Sequence, residues 1–303
     1  MSLTIVPFAE GEARLDWIGL TDAIAAGHAL PKAEIADTFL YRGKDTLLNR
    51  AAWIDGLGLA VKSATIFPGN AATSDPTVNG GVTLYRDSDG ALEALVDFHL
   101  VTKWKTAGDS LLAARKLARE DSRNILIIGA GTVARSLVQA YSAAFPEASF
   151  TVWNRTHANA LAFAASIPGM AVAENLEHAV KAADIITSAT MTTEPNLKGE
   201  WLQAGQHVDL IGAYRPDMRE VDDEALRRSR IFVDSFDTTV GHIGELKIPL
   251  AASVISRGDL VADYYDLSRF FRTADSDITL FKNGGGAHLD LMTARYILDR
   301  FRG

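Results

Sequence analysis

Four aliphatic residues, Ile125-Leu126-Ile127-Ile128, run into the turn Gly129-Ala130-Gly131-Thr132-Val133-Ala134, and a helical stretch follows to about Ala144, stopped by Pro146. The spacing is G-x-G-x-x-A, and it suits a phosphate. The first glycine permits a tight bend, the second lets the backbone approach an anion, and the small Ala134 lets helix and strand pack closely. The start of the helix then offers unpaired amides and a partial positive charge. Phe150-Thr151-Val152-Trp153 reads as a second strand, ending in Asn154-Arg155-Thr156, about 23 residues beyond Gly131. Strand, loop, helix and second strand together point to a dinucleotide site at Gly129, Gly131, Thr132, Val133 and Ala134. An acidic residue closing the second strand would hold the ribose 2′-hydroxyl of NAD. Asn154, Arg155 and Thr156 stand there instead, and a guanidinium suits a 2′-phosphate, so NADP(H) is favoured with NAD(H) still open.

Other chemistries are absent from the pattern. With no cysteine, the chain has no disulfide, thiolate nucleophile or cysteine-based zinc site. His28, His99, His157, His178, His207, His242 and His288 show no H-x-x-x-H spacing, so no metal is expected, and nothing resembles G-x-S-x-G. The formal net charge of −8, without a basic stripe, argues against a nucleic-acid partner. No apolar run approaches the roughly 20 residues needed to span a bilayer, so no membrane partner is expected. The opening Met1-Ser2-Leu3-Thr4 lacks a basic region followed by an apolar stretch, and a cytoplasmic location is expected.

Positioning these residues takes more than one core, because 303 residues exceed what a single core usually serves. Beyond the first two strands, short apolar runs at 185–189, 208–211 and 231–234 alternate with helical or loop segments. Strand alternating with helix predicts an α/β fold, a Rossmann-type doubly wound parallel sheet over 116–275. Residues 1–115 read differently, with short strands at 46–54, 59–65, 81–85 and 94–98 and a helix from Thr106 to about Arg119. Residues 278–282 form one more strand, and an amphipathic helix runs from about His288 to Phe301. This last piece is expected to return to the first domain, making 1–115 with 276–303 a discontinuous α+β substrate-binding and dimerisation domain.

The segments 59–62, 102–108, 152–156, 190–195, 212–222, 232–235, 244–246 and 278–290, with the glycine loop, resemble the ornithine cyclodeaminase/μ-crystallin family over nearly the whole chain. The resemblance implies a homodimer that passes a hydride between a nicotinamide and the α-carbon of an amino or imino acid. It also brings Ala189, Thr190, Gly212, Thr106 and Lys282 to the cofactor. Lys62, in Gly58-Leu59-Ala60-Val61-Lys62, matches the family's active-site lysine, and in an apolar strand desolvation lowers its pKa toward acid–base use. Arg42 lies near the position of the substrate-carboxylate arginine, with Arg50 a rival for the same role. In Thr102-Lys103-Trp104-Lys105-Thr106-Ala107, Lys105 stands where the family has another carboxylate-binding arginine, which replaces a planar fork with a point charge. Asn79 is a candidate pocket residue or simply a turn asparagine.

Tyr214, a further candidate for the substrate pocket, departs from the pattern. In Gly212-Ala213-Tyr214-Arg215-Pro216-Asp217-Met218-Arg219-Glu220 it stands where ornithine cyclodeaminases carry an aspartate. A phenol, with an ordinary pKa of about 10, does not replace a carboxylate base. The expected activity is therefore NAD(P)H-dependent reduction of a small α-imino acid, such as 1-pyrroline-2-carboxylate or 1-piperideine-2-carboxylate. Ornithine cyclodeaminase and an alanine-type dehydrogenase are alternatives within the family. A non-catalytic protein that binds NADP and a small ligand is the alternative of another class.

Overall fold

The computed structural model describes residues 3–73 and 75–303; Met1 and Ser2, which open the stretch read for a leader, and Ser74 lie outside them. In chain order the first elements are β1 (Thr4–Val6), α1 (Phe8–Glu12), α2 (Trp17–His28), β2 (Glu34–Arg42), β3 (Asp45–Ile54), β4 (Gly58–Ile66), β5 (Val78–Tyr85), β6 (Leu92–Asp97) and α3 (Phe98–Leu117). There follow β7 (Asn124–Ile128), α4 (Thr132–Ala144), β8 (Ser149–Trp153), α5 (His157–Ala165), β9 (Ala171–Val172), α6 (Leu176–Ala182) and β10 (Ile185–Ser188). The last are β11 (His207–Leu210), α7 (Asp223–Arg228), β12 (Ser229–Val233), α8 (Gly244–Ala251), β13 (Leu260–Ala262), β14 (Ile278–Lys282) and α9 (Ala287–Arg302). Two compact units divide the chain: the residues up to Lys105 together with Gly285–Gly303, and Thr106–Gly284.

The first unit is built on a six-stranded sheet in the order β1-β6-β5-β4-β3-β2. Neighbours from β2 to β6 are antiparallel, and β1 joins β6 in parallel. Side chains alternate across a strand, so β4 buries Gly58, Ala60, Lys62 and Ala64 and leaves the residues between them half-buried. Lys62 thus occupies a core slot. Val82, Leu84, Ala94 and Val96 share the interior, and α9 lies across the sheet, touching β2 to β6.

Several elements here differ from expectation. β1, β2, α1 and α2 had no clear signal, and β2 is exposed at nearly every position, held by its hairpin to β3. α3 begins at Phe98, not Thr106, because the Asp97 carboxylate accepts the Leu100 amide at 2.9 Å and caps the helix. Thr106 is therefore in mid-helix.

The second unit is a parallel eight-stranded sheet, β13-β12-β14-β11-β10-β7-β8-β9. β9-β8-β7-β10-β11 reproduces the first five strands of a doubly wound nucleotide-binding sheet, and β14, β12 and β13 follow beyond β11. β14 corrects the expected layout. It lies between β11 and β12, all five residues buried, so this strand belongs to the nucleotide-type sheet, and only the chain from Gly285 onward returns to the first unit. The division after Lys105 likewise falls earlier than residue 115. Leu126, Ile128, Ile186, Val208, Leu210 and Leu280 pack with Leu176, Val180, Leu226 and Leu246 from the helices. Each such aliphatic side chain contributes about 1.5–3 kcal/mol on full burial. Among the described residues no helix is long and apolar enough to cross a membrane.

Candidate active site

In Thr106–Gly284 the order of strands reverses between β7 and β10, and the carboxyl ends of these two strands make the crevice where such sheets bind ligands. Gly129 leaves β7 with φ +109°, and its amide donates to the Trp153 carbonyl at 2.8 Å. A Cβ there would sit 3.0 Å from the Ala189 carbonyl oxygen, so the glycine loop closes directly on the end of β10. Gly131 is the N-cap of α4 and has no side-chain cap, which leaves the amides of Thr132, Val133 and Ala134 to an outside acceptor. Ala134 is fully buried, whereas a Cβ at Gly131 would meet nothing within 4 Å. Free amides beneath open space fit a pyrophosphate.

Beyond β10 and β11, a Cβ on Gly212 would lie 2.2 Å from the Thr190 backbone, so the two loops touch. At the end of β8, the Asn154 side-chain amide donates to the Thr156 carbonyl at 3.0 Å, and Thr156 starts α5. Arg155 is exposed and forms no hydrogen bond or ion pair among the described residues.

The first unit gathers charge. The Lys62 ammonium donates to Asp290 Oδ1 at 2.9 Å and lies 4.8 Å from the centre of the Phe98 ring. Arg50 is its partner across β3 and β4, and donates to the Gly285 carbonyl at 2.8 Å and to Asp37 at 3.2 Å. Lys105, 8% exposed, adds a third cation whose field reaches Lys62 and Asp290. Burial is the main influence on Lys62 and outweighs the Asp290 charge that opposes it, so the ammonium sits below its ordinary pKa. Burial would raise Asp290, but Lys62, Lys105 and Arg50 together hold it below the usual carboxylate range. His288, two residues before Asp290 on α9, is pushed down to about 3 by burial and is neutral near pH 7. Two carboxylates, Asp290 and Asp37, set against the three cations leave an excess of one positive charge, which suits a carboxylate ligand.

Lys62, Arg50 and Lys105 therefore form one cluster. Arg42 does not join it: its side chain is 79% exposed and pairs with Asp45 at 2.9 Å beside the hairpin turn. Asn79 lies exposed near the start of β5, and its side chain donates to the Pro76 carbonyl at 3.0 Å, away from the cluster's charges. Tyr214 is 58% exposed on the loop after β11. Lys282 corrects another expectation. It is fully buried, and its ammonium donates to the Leu210 and Asn283 carbonyls at 2.8 and 2.7 Å, an internal tie that offers nothing to a ligand. Thr106 likewise turns inward with its carbonyl, which accepts from the Asn283 side chain at 3.0 Å. Among the described residues no cluster of histidine and carboxylate side chains is placed to hold a metal ion.

Two residues were missed. Asp290 pairs with Lys62 from 228 positions away, and its only signal is a carboxylate at helical spacing with the buried Ala287, Ala294 and Ile297 of α9. Glu220 is fully buried and accepts from the Ser188 hydroxyl at 2.6 Å and the Thr190 and Ala213 amides at 2.9 and 3.0 Å. Nothing in its neighbourhood of charged residues distinguishes it.

A family model described as the ornithine cyclodeaminase/mu-crystallin family matches residues 54–303. The Delta(1)-pyrroline-2-carboxylate reductase of Paracoccus denitrificans is 47% identical over 298 residues, which is 96% of this chain and 94% of that protein. The structure of the Delta(1)-pyrroline-2-carboxylate reductase of Thermococcus litoralis, in complex with NADH and L-proline, superposes with a TM-score of 0.88 at 27% identity, covering 98% of this chain and 97% of that one. An archaeal alanine dehydrogenase dimer with bound NAD gives 0.89 at 25% identity, covering 99% and 96%. The chain belongs to the ornithine cyclodeaminase/mu-crystallin family.

Proposed function

We propose that the protein is an NAD(P)H-dependent reductase of a small cyclic α-imino acid, with 1-pyrroline-2-carboxylate as the first candidate substrate. The observation that carries this reading is the buried lysine with its lowered pKa, set beside Arg50, Lys105 and Asp290 in a chain 47% identical to a Delta(1)-pyrroline-2-carboxylate reductase. Arg50 and Lys105 hold the substrate carboxylate, by fork and by point charge. Lys62 supplies a proton at the imine nitrogen, and Asp290 orients the ammonium and keeps it charged. Gly129, Gly131 and the amides of Thr132, Val133 and Ala134 bind the pyrophosphate of the cofactor. When bound, a reduced nicotinamide supplies hydride to the imine carbon, giving proline. Tyr214, where a cyclodeaminase would carry a carboxylate, separates this chain from ornithine cyclisation.

The unpartnered guanidinium of Arg155 favours NADPH over NADH. An apolar groove of about 470 Å³ on the outer face of the first sheet, lined by Ala51, Trp53, Leu59 and Val61, supports a homodimer. Sedimentation at micromolar concentration is expected to give twice the 32.7 kDa chain mass, and the chain mass alone would refute the dimer. The activity is tested by loss of NADPH absorbance with 1-pyrroline-2-carboxylate. Rapid substrate-dependent oxidation is expected; tight cofactor binding without turnover on any cyclic imino acid would overturn the reading. In the same assay Arg155→Ser raises the KM for NADPH about tenfold and leaves NADH unchanged, the loss of one charge-assisted contact. Equal effects on both cofactors would remove the preference.

A further inference from the structure

Glu220 has no role in the chemistry described above, yet it is one of the most heavily bonded carboxylates in the chain. It is fully buried just beyond the loop that follows β11. Its Oε1 accepts from the Ser188 hydroxyl at 2.6 Å, the Thr190 amide at 2.9 Å and the Thr190 hydroxyl at 3.1 Å. Its Oε2 accepts from the Ala213 amide at 3.0 Å. One side chain therefore grips the loop after β10 with one oxygen and the loop after β11 with the other. Its own backbone is held in turn. The Glu245 carboxylate accepts the Glu220 and Val221 amides at 2.7 and 3.2 Å, and the Glu220 carbonyl accepts the Asn196 and Leu197 amides, both at 3.1 Å. Burial, then the neighbouring Glu220 carboxylate, raises Glu245 above the usual carboxylate range.

The position of the clamp gives it a function. The glycine loop closes on Ala189, and the adenosine ribose of a dinucleotide lies toward the end of β8. The other half of the dinucleotide, which carries the nicotinamide, must then lie over the ends of β10 and β11. Those are the ends that Glu220 ties together and where Gly212 and Thr190 touch. We propose that Glu220 is a positioning residue that locks the loops after β10 and β11 into one preformed wall for the nicotinamide half of the cofactor. The inference rests on the reading of the glycine loop as a dinucleotide cradle.

Glu220→Gln tests it sharply, because an amide has one acceptor and one donor. Whichever way it turns, an NH₂ group faces a backbone N–H, and one of the two loops is released. Binding of NADPH and of 2′-phospho-ADP-ribose, the same molecule without the nicotinamide, is measured by calorimetry on the full chain. Glu220→Gln is expected to weaken NADPH about tenfold and 2′-phospho-ADP-ribose less than about twofold, the size of one buried charge-assisted bond lost on one side of the crevice. Ser188→Ala removes a single donor, serves if the first variant folds poorly, and is expected to weaken NADPH about threefold with the same selectivity. Equal loss for both ligands would reduce Glu220 to general structural support, and no loss for either would remove the proposal. If the unsubstituted protein binds neither ligand, the cradle reading fails instead.

Discussion

At Gly129–Ala134 the groups proposed for binding are main-chain amides, set by one glycine at φ +109° and the uncapped start of α4. At Lys62 they are side chains drawn from β3, β4, α3 and α9, held by an ion pair that closes a separation of 228 residues. The first kind of site is written in contiguous sequence, because a tight turn, a close approach and a helix start constrain consecutive residues. The second is written only in the fold. It also carries a different liability. A backbone site fails by strain, whereas a buried charge cluster fails when one partner leaves the others uncompensated.

The largest expected effects come from striking each region at its own weakness. Lys62→Met keeps the volume but removes the proton donor, and is expected to lower kcat roughly a thousandfold while leaving the cofactor Kd unchanged. Gly129→Val forces a β-branched residue to positive φ with a Cβ against the Ala189 carbonyl, and is expected to weaken cofactor binding roughly a hundredfold. Calorimetry and steady-state kinetics on both variants decide the matter. If Lys62→Met loosens the cofactor as much as Gly129→Val does, the division of labour between the two regions is wrong.

A subtler change sharpens the account of the charged region. Asp290 raises the Lys62 pKa against the larger effect of burial, so Asp290→Asn lets that pKa fall further. Catalysis by a protonated Lys62 is lost as pH rises through its pKa, and the alkaline limb of kcat/KM is expected to move to lower pH in the variant. A limb that stays in place would show that Lys62 is not the titrating group.

The same contrast explains what was legible in the residues alone. β7, α4 and β8 follow from a buried aliphatic run, a glycine turn and a proline stop, each a local constraint. β2 carries charges and is exposed along almost its whole length, so no alternation marks it; only pairing with β3 makes it a strand. β14 was recognisable as a strand but not by its neighbours, because insertion between β11 and β12 is a property of the sheet. Arg50 and Arg42 could not be told apart until the register set Arg50 opposite Lys62 and left Arg42 beside the hairpin turn. Lys282 misled for a related reason, since a lysine at a strand end near a glycine run looks like a ligand until its ammonium is seen to bond to buried carbonyls.

The reaction proposed for this chain brings hydride to an imine carbon while Lys62 supplies the proton. It is tested most directly by giving the protein 1-pyrroline-2-carboxylate with NADPH dideuterated at C4 of the dihydronicotinamide, and analysing the product by mass spectrometry. Proline carrying one deuterium at the α-carbon is the expected product. Tight binding of the labelled cofactor with no labelled proline formed would contradict it.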